Sequence, residues 1–403
     1  MDSIELRASV ALVAAALATA CLTGVGQPRA ESNEPPPPVA ATALPHSDGV
    51  AAIASALDSF PIVAVADLHG AAELGAFRSR LLADARVLDR VDDVVIEAGN
   101  SLYQPLADRY VRGDSVEMDS LRLIWNNTTQ SPLNTLDAPL YAEDVLRAIR
   151  VANQRRRSAR PVRVLLADPP IEWNDVHTRA DAMRFLSQRR VSHVRVLSDS
   201  VLALGHRAIF ICGALHLMRA TSGVSPDAPL ATTTQRMLRS RPRSVYVILI
   251  FDGFGGSTAK YEPLMNALPR ESVVPFSGTQ VGALMAEEVM SPTPNAPAAP
   301  PLTISPNAGA DAPSIFAGLT MSDIADAYLY LLPFSQLTVA RADLRRYRTT
   351  PALLAELDRR RRIMTGEPFD TAAFFAPPTA TLLYGQSRGD RNVRRPAPAR
   401  PSQ

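Results

Sequence analysis

Two histidines and four carboxylates stand where short apolar runs of this chain end. Asp67, His69 and Glu73 follow Pro61–Ala66, Glu97 follows Asp93–Ile96, Asp168 follows Val162–Ala167, and His216 follows Ala208–Gly213. These side chains carry general acid–base and metal chemistry. A histidine near neutrality takes a proton from water, a carboxylate orients or charges it, and either can ligate a cation. Glu73 falls one helical turn after His69, where the helix dipole favours a carboxylate. A pair that only caps a helix fits that spacing equally well, since His-x-x-x-Glu is common by chance.

Gly213-Ala214-Leu215-His216 repeats the arrangement at another strand end, so two of the six histidines hold equivalent places. Glu97 closes a buried run and needs a partner there. It is either ion-paired to an arginine such as Arg109 or a general base or metal ligand with a shifted pKa. Asp168-Pro169-Pro170 is a site carboxylate or an Asx-type turn. Tyr103, Trp125 and Trp173 lie near these segments, as pocket wall or as core. Cys212 sits inside an apolar run and reads as a buried, inert thiol. The Gly253–Gly256 loop lacks a dinucleotide fingerprint, and the chain has no Gly-x-Ser-x-Gly elbow for a serine nucleophile.

The elements that position these groups alternate. The apolar runs are β-branched and apolar on both faces, as strands of a buried parallel sheet are. Between them come helical stripes: Val50–Leu57; Leu74, Phe77, Leu81 and Ala85; Leu102, Leu106 and Tyr110; Tyr141, Val145, Ile149 and Ala152; and Val194, Leu197, Val201 and Leu204, ended by Gly205. Asp114 with Glu117 marks a helix start before Leu121 and Trp125. Further strands are expected at Val245–Phe251 and Ala327–Leu332, and a helix behind Thr350-Pro351. The pattern predicts an α/β fold: a mostly parallel central sheet flanked by helices, with the site at the strand C-terminal ends.

Residues 47–376 are read as a single α/β domain, with a flexible Pro/Ala-rich insertion at 291–313. Residues 377–403 read as a disordered Arg/Pro-rich tail, and residues 22–46 as a Pro-rich spacer. Residues 1–21 resemble an export signal. Ala8–Ala20 has the length of a signal h-region, and Ala18-Thr19-Ala20 offers a cleavage site just before Cys21, by ordinary or lipoprotein-type processing. Asp2 and Glu5 outweigh Arg7 in the leader, which also suits a plain Ala-rich extension. Export to the periplasm or a lipid-anchored place in the cell envelope is the expectation, with membrane contact only through this leader. The 403 residues carry a net charge of +2 with no basic stripe inside the folded region, which gives a nucleic-acid role no electrostatic support.

Val63–Gly70 with Glu73 resembles the strand–Gly-Glu-x-His–helix segment of erythromycin esterase-like and ChaN/TraB/Tiki-like proteins. Val94–Ala98, followed by Tyr103-Gln104 and Asp108-Arg109-Tyr110, is similar to their second segment. Cys212–Leu217 is similar to their later Gly-x-x-His segment. The Gly-Glu before the first histidine reads Ala66-Asp67 here, a departure at the centre of the motif. The resemblance implies an α/β fold and activities that differ across the group: lactone hydrolysis by histidine-activated water, metal-dependent peptide cleavage, or haem binding.

Two readings follow. In a hydrolase acting on a small-molecule ester or a peptide amide, His69 is the general base, held by Glu73 or Glu97. His216 then orients substrate or stabilises the oxyanion, and Asp67 and Asp168 tune the histidines. A metal-assisted version gathers His69, His216, Asp67 and Asp168 around a divalent cation. In the alternative, the protein is an exported binder of haem or another small ligand, without catalysis.

Overall fold

A computed structural model describes residues 43–68, 70–131, 138–156, 160–228, 231–250, 261–290, 314–333, 336–338, 340 and 344–375, all within the unit that begins at Ala43. The leader, the spacer before residue 43, the insertion at 291–313, the tail from 377, His69 and Gly253–Gly256 lie outside the described residues.

Eight strands make one sheet: β1 (Ser47–Asp48), β2 (Ile62–Asp67), β3 (Asp93–Asn100), β4 (Arg163–Asp168), β5 (Ala208–Gly213), β6 (Val245–Leu249), β7 (Ser272–Pro275) and β8 (Ala327–Tyr330). Their spatial order is β1-β7-β8-β6-β2-β5-β3-β4. The neighbours from β8 to β4 pair in parallel, and the β7–β8 and β1–β7 pairs are antiparallel. The expected α/β architecture is therefore present. β7 and β1 had no counterpart in the sequence reading. Ser272–Pro275 has two valines between a serine and a proline, and β1 has two residues, too little for a periodic signal.

β2 and β3 are buried along their whole lengths, because helices cover both faces of the sheet. Ile53 and Leu57 of helix Gly49–Ser59, and Leu74, Phe77 and Leu81 of helix Ala72–Leu81, enter the core as their spacing requires. The Leu102–Leu106–Tyr110 stripe does so only in part: Leu106 and Tyr110 pack half-buried against the core, while Leu102 is 42% exposed. Helix Gln104–Arg112 also buries Ala107 and Val111. Arg150 packs at the end of this helix. Its guanidinium lies over the Tyr110 ring at 4.6 Å and donates to the carbonyls of Gly113 and Asp114 at 2.9 and 2.8 Å. A cation at a helix C-terminus is favoured by the dipole, and an aromatic face adds to that. The Val194–Leu204 stripe is also not one α-helix. Helix Arg189–Arg195 passes into a π-helical turn at Val196–Val201 and a tighter turn at Leu202–Leu204, closed by Gly205 at φ 67°.

β3 carries the irregularity that matters for function. Ile96 pairs with Leu166 and Asn100 with Asp168, so Glu97, Ala98 and Gly99 face a single residue of β4. Such a bulge re-aims side chains at a sheet edge. Gly99 is required in it: a Cβ there would lie 2.6 Å from Leu166 Cδ2 and 3.2 Å from Ile96 Cδ1. Gly99→Ala is therefore expected to cost about 1–3 kcal/mol by overpacking. Urea unfolding reads this as a lowered midpoint at constant slope; an unchanged midpoint would show that β4 simply yields.

Candidate active site

The parallel order sets the ends of β2, β5, β3 and β4 side by side, and a buried charge network crosses them. Glu97, 1% exposed, spends both carboxylate oxygens inside the protein. One accepts from Arg189, the other from the Gly213 backbone N–H. Burial opposes its charge, but Arg189 and the neighbouring groups overcome this and hold the carboxyl well below the usual range.

Arg189 joins two strands. While one nitrogen meets Glu97, its Nε donates to Asp168 Oδ1 at 3.1 Å. Turned to present oxygen, the Gln130 carboxamide accepts from the same guanidinium at 2.6 and 3.0 Å. The planar fork of arginine suits this bridging, which an ammonium would not reproduce. Thr129 completes Asp168, its backbone N–H and hydroxyl donating at 2.6 and 2.7 Å. Asp168 is nevertheless pushed up to about 6, because its complete burial outweighs Arg189 and Thr129.

The pH consequence has a definite sign. The folded pKa of Asp168 lies above its ordinary 3.8, so the folded state binds this proton more tightly than the unfolded chain does. Stability from this group is full below 3.8 and is lost as pH rises to about 6. Asp168→Asn should remove that part of the slope. Thermal unfolding across this window should show melting temperatures that diverge between wild type and variant; parallel profiles would contradict a titrating Asp168.

His216 stands at the rim of the network, its side chain 16% exposed, with Nε2 3.4 Å from Glu97 Oε1. Arg190 Nε donates to its Nδ1 at 3.3 Å. That donation makes Nδ1 the acceptor nitrogen and leaves the proton on Nε2, facing Glu97. Burial, and then Arg189 and Arg236, lower the pKa of Arg190. His193 packs edge-on to His216, with ring centroids 5.4 Å apart. Its Nδ1 meets the Thr233 hydroxyl at 3.1 Å. Burial, with His216 next, holds His193 well below the ordinary imidazole value, so it stays neutral.

The structure thus brings Glu97 and His216 together and joins Asp168 to them through Arg189. Asp67 binds Arg78. Glu73 pins a distant segment, accepting from the Thr338 backbone N–H and hydroxyl at 2.9 and 2.6 Å. Arg109 is not the partner of Glu97; it faces solvent and lies 3.7 Å from Asp114. Cys212 is buried, and burial followed by the Glu97 charge pushes its thiol well up, in keeping with an inert role. His69 lies outside the described residues, between Leu68 and Gly70 just past the end of β2.

The donor set suits a resident metal poorly. Asp67 and Asp168 are each engaged by an arginine, and cationic Arg189 and Arg190 flank His216. Among the described residues, no group of three or more His, Cys, Asp or Glu is arranged to hold an ion. Haem ligation by His216 would displace either its Glu97 or its Arg190 contact.

Sequence reasoning missed Arg189, Arg190, His193, Thr129 and Gln130. The signal was faint but present: Arg189 and His193 are four residues apart, on one face of a helix, and both are buried. Tyr103, Trp125 and Trp173 were read as pocket wall or as core, and the two tryptophans are core-buried. All three line a cavity of about 610 Å³ bounded by the 125–131 segment and helix Pro351–Thr365.

No family model matches the chain, and no curated protein does. Among solved structures it is similar to an erythromycin esterase mutant in its open conformation, at 13% identity and a TM-score of 0.45, over 73% of this chain and 94% of that one. It is also similar to a protein from Bacillus cereus, at 12% identity and a TM-score of 0.41, over 69% of this chain and 90% of that one. A third is ChaN of Campylobacter jejuni, described with cofacial heme binding, at 10% identity and a TM-score of 0.32, over 51% of this chain and 86% of that one. No activity follows from likenesses this distant.

Proposed function

We propose that the chain is a hydrolase that uses histidine-activated water to cleave an ester or amide. The observation that carries this reading is the pairing of His216 with Glu97, a carboxylate fixed on both oxygens and held ionised. Glu97 orients Nε2–H and favours the imidazolium that forms when Nδ1 takes a proton. It is a positioning residue, because neither of its oxygens is free to meet substrate.

In this reading water gives a proton to His216 Nδ1 as its oxygen attacks the carbonyl carbon. Arg190 leaves Nδ1 and stabilises the oxyanion. The proton passes from Nδ1 to the leaving oxygen or nitrogen, and the products are a carboxylic acid and an alcohol or amine. Proton transfer, which the sequence reading gave to His69, is assigned in this proposal to His216. The signal-like run Ala8–Ala20 supports a place outside the cytoplasm as part of this proposal. Among the described residues, no helix is long and apolar enough to cross a membrane.

The test is a screen of aryl esters, lactones and short peptides with wild type and His216→Ala. A hydrolysed substrate whose turnover collapses in the variant supports the reading; equal turnover ends it.

A further inference from the structure

The cavity beside Trp125 holds hydrogen-bonding groups that the fold leaves unused. Its charges are mostly settled internally. Asp119 is paired with Arg122 and Arg346 at 3.0 and 3.1 Å, and Glu356 with Arg359 and Arg360 at 2.7 and 2.6 Å. Arg360 also covers the Trp173 ring at 4.8 Å. What remains facing the space is aromatic surface from Tyr103, Trp125 and Tyr347, and a set of uncommitted polar groups. Among the described residues, nothing bonds the Tyr347 hydroxyl or the Asn126 and Asn174 carboxamides. Tyr103 accepts from Asn127 Nδ2 at 2.8 Å, and its own O–H proton is unspent. Among the described residues, Glu172 is met by the Asn174 backbone N–H, at 3.4 Å.

We propose that this cavity binds a neutral carbohydrate. A sugar ring offers a flat C–H face for aromatic walls and hydroxyls that both donate and accept, which matches the mixture of phenol, amide and carboxylate left over. A strongly anionic ligand is disfavoured, because Arg346 and Arg360 on the wall are each held by a carboxylate. The volume of about 610 Å³ lies within the range of small-molecule sites. The wall is shared with the charge network: Asn127 and Ser131 line the cavity, while Thr129 and Gln130 between them hold Asp168 and Arg189. The proposal stands apart from the hydrolase reading, since binding needs no turnover.

The chain has two tryptophans, and both line this cavity, so intrinsic fluorescence reports it directly. The full chain is titrated with cellobiose, chitobiose, maltose and lactose. A saturable change with at least one of them is expected. Tyr347→Phe and Asn126→Ala each delete a group without a hydrogen-bond partner among the described residues. Each should weaken that sugar about fivefold while leaving the melting temperature unchanged. The proposal is overturned by no saturable response to any of the four, or by affinities that neither variant changes. Saturation by benzyltrimethylammonium without response to sugars also overturns it, and would mark a cation cage instead.

Discussion

Arg189→Ala is expected to destabilise the protein by about 3–5 kcal/mol. The variant leaves two carboxylates, Glu97 and Asp168, at 1% and 0% exposure, without their shared cation. Either both stay charged without a counterion, or one takes a proton at a cost in free energy. Arg189→Lys should recover little, because one ammonium cannot span both strands as the fork does. Adding Glu97→Gln and Asp168→Asn to Arg189→Ala should recover much of the loss, since the uncompensated charges are then gone. Chemical denaturation of the four proteins provides the measurement. An Arg189→Ala cost below about 1 kcal/mol would place this pair in the class of solvated ion pairs.

His216→Ala is expected to lower kcat/KM by about 10²–10⁴ on any substrate the protein hydrolyses, the usual worth of a positioned general base. The fall should appear mainly in kcat, because the proton transfer belongs to the transition state. Folding should be little affected. The ring lies at the network's rim and its contacts are polar ones at 3.3 and 3.4 Å. Arg190 has a separable part: Arg190→Ala removes the oxyanion partner but leaves Glu97 aimed at His216. A His216→Ala variant with wild-type turnover would remove this residue from the mechanism.

The sheet was legible because its core strands are short, apolar on both faces and bounded by polar turns, which leaves few other structures for them. Glu97 and His216 were legible for a related reason: an ionisable residue directly after a buried run has few places to go. Their partner was not. Arg189 and Arg190 stand in a segment rich in arginine and serine, which reads as a solvated helix surface. Only the tertiary path that lays helix Arg189–Arg195 across the ends of β3 and β4 turns that face inward. Glu73 shows a different limit. Its spacing from His69 promised a local pair, yet the carboxylate found the Thr338 backbone N–H and hydroxyl, 265 residues away. A local pattern cannot report a competitor that distant. The bulge in β3 left only a weak mark: Glu97 and Gly99 interrupt the apolar run, and that pair reads equally well as the end of the strand.

The central claim is that Glu97 fixes the proton of His216 on Nε2 and leaves Nδ1 as the acceptor. Nitrogen-15 NMR of the imidazole, at a pH where the ring is neutral, tests it without knowledge of the substrate. The account predicts a dominant Nε2–H tautomer in wild type and a mixture of tautomers in Glu97→Gln. An Nδ1–H tautomer in wild type, or a spectrum that Glu97→Gln does not change, would contradict it.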